Sequence, residues 1–385
     1  MNIAFVTTQT IEGSTVLGRV LPLAQQLAHN HSVHVLVHGP DSTSKILSPI
    51  YKIHVVGADP FVKGDGGKKR LAGIFLLLRM KWNAIFATIR LLKIRPDVVV
   101  IVKSLPESVL VGWLYSLLRK SFLVLDADDF ELTANKLTSI WQRAAVHWAE
   151  RTGAKIAKVI VTASPFLQDH FQQLVPHKKV LMIPTGITQR SQNDQAKSNP
   201  VKTPKLIYTG SVSIASGHRV DLLPEILEHV RKQLPQATLT IAGSGDDIED
   251  IKKDFANRNL TEAVFWLGRF ASSDIPKIFS TIAIAIDPID ASISNRAKSS
   301  FRVLVAQQYG LPVITSNVGV RPDLIPREFH DRFFATPGDT VSYADKIISM
   351  FATPLSPLEI NILQHHVDQF TWPILAKQYN NIWSS

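Results

Sequence analysis

The chain has 385 residues, 45% of them hydrophobic and 19% charged, a globular composition long enough for two domains rather than one core. It contains no cysteine, which excludes disulfides, thiolate metal sites and cysteine nucleophiles and fits a reducing compartment. The net charge is +10 and unevenly spread: Lys63, Lys68, Lys69, Arg70, Arg79, Lys81, Arg90, Lys93 and Arg95 meet a single acid, Asp65, across residues 61–95.

The first residues, MNIAFVTTQT, lack the basic n-region and apolar run of a signal peptide and read as a strand. Strands are expected over 3–7, 33–37, 52–56, 98–102, 122–125, 159–163 and 180–183, with helices such as 17–29 and 139–157 between them. Their apolarity is continuous rather than alternating, which marks strands covered on both faces and hence a parallel, doubly wound sheet. The polar stretch 188–204, TQRSQNDQAKSNPVKTP, reads as a linker. The rhythm then restarts, with strands over 205–209, 237–242, 264–267, 282–286 and 312–315 and helices over 221–234, 248–257, 273–279 and 298–309. The expected fold class is therefore α/β: two doubly wound, Rossmann-like domains, 1–187 and 205–369, with the carboxyl ends of their sheets across a cleft. Residues 370–385 form a closing helix, available to pack back on the N-terminal domain.

Residues 68–95 combine their cations with the apolar run LAGIFLLL and with Trp82, Ile85, Phe86, Ile89, Leu91 and Leu92. Basic and apolar residues in one helical stretch suggest adsorption to an anionic membrane surface. No apolar run approaches the roughly 20 residues that span a bilayer. At about 100° per residue, Arg79, Arg90 and Lys93 share one face while Arg70, Lys81 and Arg95 lie nearly opposite, so ordinary helices with solvated cations are the alternative. The rest of the chain is nearly neutral and carries no nucleic-acid motif, so no nucleic-acid partner is expected. His31, His34 and His38 surround the second strand and read as surface or edge residues; His34 and His38, four apart on a strand and thus roughly 13 Å from each other, cannot share a metal.

Several patterns recur in order: VIVTASPFLQDHF (159–171), VLMIPTGIT (180–188), LIYTG ending at Gly210, RVDLLPEI (219–226), TLTIAGSGDD (238–247), VFWLGRF (264–270) and NRAKSSFRVLVAQQYGLPVI (295–314). Together they resemble the GT-B glycosyltransferases, particularly the retaining family 4 group, over nearly the whole chain. The resemblance implies transfer of a sugar, with retention, from a nucleotide-sugar donor in the C-terminal domain to an acceptor presented by the N-terminal domain. It implies no metal and no other cofactor. The expected enzyme is cytoplasmic, peripheral on the inner membrane face, and extends a polysaccharide or a lipid-linked acceptor.

In such an enzyme the departing diphosphate needs positive charge and N–H donors. Lys298, Ser299 and Ser300, at the start of the helix expected over 298–309, supply both; a plain helix cap with a solvated lysine is the alternative. Gly210 ends a strand, and Gly243, Ser244 and Gly245 either admit the donor to the backbone or serve a tight turn. Gly13 and Ser14, in the loop after the first strand, and Arg19, in the next helix, fall where the family contacts acceptor and diphosphate. Lys103 and Ser104 end the strand VVVIV and should face the cleft, as should the stretch LVLDADDFE, 123–131, with Asp128 and Asp129. Either acid could orient the acceptor hydroxyl or act as a base.

The departures from the family pattern are specific. Its two Glu are replaced by Ala297 and Val305, and Val cannot accept the hydrogen bonds of ribose hydroxyls. Asp287, Asp290 and Asn295 are the candidate substitutes. The usual Gly-Arg becomes Gly210-Ser211 and the usual Lys-Gly becomes Ser216-Gly217, leaving Arg219 as the nearest replacement charge. Asp126-Ala127-Asp128 resembles the metal-binding Asp-x-Asp of the GT-A fold, but the two-domain pattern argues against that fold. The missing acids also motivate a rival reading, a non-catalytic GT-B partner subunit; a second rival keeps the fold as a GT-B sugar-nucleotide epimerase or hydrolase, against which the basic, apolar residues 68–95 argue, since a soluble epimerase has no use for membrane affinity.

Overall fold

The computed structural model describes residues 1–39, 50–59, 61–64, 67–70, 73–135, 137–190 and 203–384. Most of the expected linker, residues 191–202, and the side chains of residues 61–72 lie outside the described residues. The chain forms two compact units, Met1–Thr188 with Trp372–Ser385 and Gln189–Thr371.

The first unit carries strands β1 (Asn2–Thr10), β2 (Ser32–His38), β3 (Lys52–Gly57), β4 (Phe61–Gly64), β5 (Gly67–Arg70), β6 (Val98–Val102), β7 (Phe122–Ala127), β8 (Val159–Thr162) and β9 (Lys179–Met182). Its helices are α1 (Leu21–Leu27), α2 (Gly73–Ile94), α3 (Pro106–Leu118), α4 (Glu131–Ala134), α5 (Ile140–Ile156) and α6 (Pro165–Leu174). Seven strands make one parallel sheet in the order β3-β2-β1-β6-β7-β8-β9, and β4 and β5 form a separate antiparallel hairpin. All five residues of β6 are buried, as the unbroken VVVIV requires of a central strand covered on both faces. The helix expected over 17–29 is instead a π turn, Val16–Val20, followed by α1. Pro22 explains the break: lacking an N–H, it suits the first turn of a helix and not its interior.

The closing helix, Trp372–Ser384, buries Trp372, Leu375, Ala376, Tyr379, Ile382 and Trp383, spaced to share one face. That face joins the core built by α1 and by Ile3, Phe5, Val35 and Val100 of the sheet.

The second unit has strands β10 (Lys205–Thr209), β11 (Thr238–Ala242), β12 (Val264–Trp266), β13 (Ile284–Ile286), β14 (Val313–Ser316) and β15 (Phe334–Ala335), all parallel in the order β12-β11-β10-β13-β14-β15. Its helices are α7 (Leu223–Gln233), α8 (Ile248–Asn257), α9 (Ile275–Phe279), α10 (Ile293–Ala297), α11 (Phe301–Gln308), α12 (Arg321–Leu324), α13 (His330–Phe333), α14 (Thr340–Ala352) and α15 (Pro357–Asp368). The helix expected over 298–309 starts at Phe301, so Lys298 and Ser299 lie in the connection from α10, with Ser300 at the cap.

Both sheets reverse strand order once, between β1 and β6 and between β10 and β13. Ligands of doubly wound sheets bind outside the carboxyl ends of the strands at that switch point.

Candidate active site

At the switch point of the second unit, β10 ends in Gly210, whose φ of +138° excludes ordinary side chains. A Cβ there would lie 2.9 Å from the guanidinium of Arg302, which rises from the first turn of α11. Arg302 stacks over the Tyr208 ring at 5.0 Å, donates from Nη2 to His218 Nδ1 at 2.6 Å, and holds Nη1 3.5 Å from Asp287 Oδ1. Oδ2 of Asp287 accepts from Arg321 Nε at 2.7 Å and from the hydroxyls of Ser300 and Thr315, each at 3.1 Å. Burial alone would raise the Asp287 pKa, but Arg321 and Arg302 outweigh it and bring the carboxyl down to about 2. Asp287, a candidate for contact with the donor sugar, is thus turned inward as the anchor of two guanidinium groups.

Arg219 is matched by acids of its own. Its Nε and Nη2 reach Asp221 at 3.0 and 2.7 Å, and its Nη1 reaches Asp290 at 2.7 Å. Asp290 also accepts from Asn295 Nδ2 at 2.7 Å and from the Ser292 backbone at 3.1 Å, contacts that hold its carboxyl below the usual range against the effect of burial. Arg219, Asp290 and Asn295 therefore form one linked group. Lys298 is half-buried beside the loop: a Cβ on Gly217 would lie 3.3 Å from its Nζ. Ser299 is half-buried next to it, while Ser300 is buried and committed to Asp287.

The glycines after β11 admit the protein's own backbone. A Cβ on Gly243 would come within 1.8 Å of the Gly210 carbonyl oxygen, and one on Gly245 within 2.0 Å of that of Val212. Between them, the Ser244 hydroxyl accepts from Arg269 Nε at 2.7 Å.

At the switch point of the first unit the charges are reversed. Lys103 ends β6 with φ +66°, a left-handed backbone that costs free energy in a residue with a Cβ. Its buried ammonium lies 3.2 Å from Asp128 Oδ1, 2.6 Å from Asp129 Oδ2 and 3.3 Å from Glu131 Oε1. Burial opposes the lysine charge, but the three acids outweigh it and hold the ammonium protonated. Burial pushes the Glu131 carboxyl up to about 7, against the pull of Lys103. The Thr15 hydroxyl, from the loop after β1, donates to Asp128 at 2.9 Å. Gly13 begins this loop with its N–H on the Thr10 carbonyl, Ser14 is exposed, and Ser104 is buried.

Arg19, expected to face the acceptor, is instead 1% exposed. Its Nη2 donates to Asp126 at 2.8 Å, to the Ile183 carbonyl at 3.0 Å and to the Tyr379 hydroxyl at 2.8 Å. Tyr379 in turn donates to Asp126 at 2.8 Å. The Asp126-Ala127-Asp128 run is thereby divided, the first acid serving the core and the second the strand ends. Sequence reasoning did not single out Thr15, His218, Arg302, Arg321 or Tyr379, and it took in Glu131 only as the end of the stretch 123–131 expected at the cleft. Thr15 and His218 were within reach, next to Ser14 and Arg219, as was Arg302, two residues after Ser300; nothing local marks Arg321 or Tyr379.

Residues 17–186 match the family model described as glycosyl transferase 4-like domain, and residues 203–353 match the one described as glycosyl transferases group 1. The chain belongs to the GT-B glycosyltransferases. Among solved structures, this glycosyltransferase superposes over its whole length on 98% of sucrose-phosphate synthase from Thermosynechococcus elongatus, at a TM-score of 0.76 and 17% identity. It superposes likewise on 99% of Anabaena HepE in complex with UDP and glucose, at a TM-score of 0.71 and 15% identity. At these identities the likeness shows the fold. A curated relative, the sulfoquinovosyl transferase SQD2 of Arabidopsis thaliana, is 25% identical over 173 residues, which span 42% of this glycosyltransferase and 31% of that protein.

Proposed function

We propose that this glycosyltransferase takes a sugar from a nucleotide-sugar donor bound by the second unit and transfers it, with retention, to a hydroxyl of a glycan or lipid-linked acceptor bound by the first. The observation that carries the reading is the cation surplus between the ends of β10 and β13. Arg302 and Arg321 share one buried acid, Asp287, a charge balance suited to a departing diphosphate. At the first unit's switch point, Asp128 and Asp129 offer carboxylate oxygens to an acceptor hydroxyl. No cofactor beyond the co-substrate is invoked. HepE, solved with UDP and glucose, makes UDP-sugars the first donors to try.

The acceptor reading rests on α2. The helix buries only a narrow stripe, Asn83, Ala84, Ala87, Thr88 and Leu91, mostly small residues, so its large side chains stay outside. Ile74, Phe75, Leu77, Leu78, Trp82, Phe86 and Ile89 are 44–69% exposed, beside Arg79, Lys81, Arg90 and Lys93 and with no acid in the helix. A cavity of about 600 Å³ between α2 and the end of β3 is lined by Arg79, Trp82, Phe86, Arg90 and Lys93. This apolar, cationic face suits the inner surface of an anionic membrane and an acceptor carried there. Among the described residues no helix is long and apolar enough to cross a membrane.

The test is thermal-shift screening with UDP-, GDP- and CMP-sugars, followed by transfer of labelled sugar from the stabilising donor into a lipid extract. Stabilisation by one nucleotide class and label in the lipid fraction are expected. Absence of stabilisation by every donor overturns the reading, and conversion of the donor without transfer supports an epimerase in its place.

A further inference from the structure

The loop from β10 to α7 has Ser211 and Ser216 in place of the usual cationic side chains, yet it presents His218 to the same strand ends. His218 is held from outside the loop. Arg302 donates from Nη2 to its Nδ1 at 2.6 Å, and a guanidinium has no lone pair to offer in return. Nδ1 must therefore be the acceptor, which leaves the ring proton on Nε2. Gly217 lets the loop run close to Lys298 and Ser294, since a Cβ on that glycine would lie 3.3 Å from the lysine Nζ and 2.7 Å from Ser294 Oγ.

Resting on the donor reading above, we propose that His218 is a substrate-contacting residue of this site, a neutral imidazole locked by Arg302 with its proton on Nε2, which donates that N–H to the donor's diphosphate. Arg302 is then a positioning residue. Its guanidinium fixes the tautomer and adds charge, while its reach is set by Gly210, Tyr208 and Asp287. The charged groups acting on the imidazole are Arg302 from α11, Lys298 from the connection before it, Asp287 from the end of β13 and Arg321 from α12, three cations against one acid. Burial, Arg302 and Lys298 together push the His218 pKa down to about 2. Held by Arg302 with its proton on Nε2, the ring is a fixed dipole that adds an N–H donor without adding to the repulsion among the cations.

The experiment uses the full chain and has two independent readouts. In ¹⁵N spectra without ligand, His218 of the wild type keeps the Nε2–H tautomer from pH 5 to 8. In Arg302→Met the same ring samples both tautomers and titrates closer to the ordinary histidine range. With the stabilising nucleotide sugar, His218→Ala and His218→Asn lower kcat/KM about ten- to a hundredfold, the usual effect of losing a hydrogen bond to a charged group. His218→Gln, whose amide N–H can reach the Nε2 position, recovers part of the loss. A purely structural role predicts the opposite ranking, because Asn preserves the acceptor for Arg302 and Gln displaces it. A protonated His218 at pH 6, or full donor kcat/KM in His218→Ala, overturns the proposal. A wild type that binds no nucleotide sugar overturns both the proposal and the donor reading, whereas wild-type binding with unaffected His218 variants sinks the proposal alone.

Discussion

The Lys103 ammonium lies 2.6 Å from the Asp129 carboxylate, between acids whose oxygens are close enough to ligate an ion. Ligand atoms of Asp128, Asp129 and Glu131 fall within 4.8 Å of one another, and the lysine occupies the centre as a built-in cation. Lys103→Ala should therefore uncover a divalent-cation site. Mn²⁺ is expected to raise the melting temperature of Lys103→Ala and to leave that of the wild type unchanged, with EDTA reversing the effect. Equal shifts in both proteins would refute the assignment.

The buried group of Arg19, Asp126 and Tyr379 ties the closing helix to the sheet of the first unit. Removing one member of a buried ion pair leaves an uncompensated charge, so Arg19→Met and Asp126→Asn should each destabilise this unit by about 3–5 kcal/mol. Tyr379→Phe deletes only the hydroxyl between them and should cost about 1–3 kcal/mol. Urea unfolding followed by the fluorescence of Trp372 and Trp383 reads the difference. Near-identical midpoints for all three variants would show that the group is not what holds the helix.

Two carboxyl groups give opposite pH dependences. The Glu131 pKa is raised to about 7, so its contribution is complete at pH 4 and is lost as pH rises through 7. The Asp287 pKa is lowered to about 2, so its contribution is present above pH 4 and is lost as pH falls toward 2. Glu131→Gln, which imitates the protonated acid, should flatten the stability decline between pH 5 and 8, by an amount on the order of 2 kcal/mol. Denaturant midpoints at pH 5, 6.5 and 8 test this; an undiminished decline in Glu131→Gln would assign it to other groups.

Gly243→Ala should unfold or misassemble the second unit. Its Cβ would lie 1.8 Å from the Gly210 carbonyl oxygen, a backbone atom that cannot swing aside. Gly268→Ala is the control: nothing lies within 4 Å of its Cβ position, and a φ of +70° leaves only a backbone strain of about 1–2 kcal/mol. Soluble yield and circular dichroism separate a severe loss from a mild one.

Flotation with vesicles containing anionic lipid should recover the protein, and raised salt should release it. Trp82→Ala and Phe75→Ala should weaken binding at all salt concentrations, whereas Arg79→Glu with Arg90→Glu should weaken it chiefly at low salt. Failure to float with either anionic or neutral vesicles would remove the membrane from the function.

The linear order of residues was enough to determine the architecture. Unbroken apolar runs such as VVVIV can only be strands covered on both faces, and two series of them separated by a polar stretch require two doubly wound sheets. Even the basic, apolar character of α2 was visible, though not the reason its large residues stay exposed, which is that Ala84, Ala87 and Thr88 make the contact instead. The site was legible only in part, because strand ends are set by chain order while pairings across them are not. Arg19 sits where the pattern leads one to expect a ligand contact, yet Asp126, 107 residues away, and Tyr379, 360 away, turn it into the core. Gly243 reads as room for a ligand until the Gly210 carbonyl is seen to fill it. Arg302 reads as one more helix residue until it is found over Gly210, holding His218. Hydrophobic periodicity is a local property and survives in the sequence, whereas charge compensation depends on which distant groups share a low-dielectric space, and only the folded chain decides that.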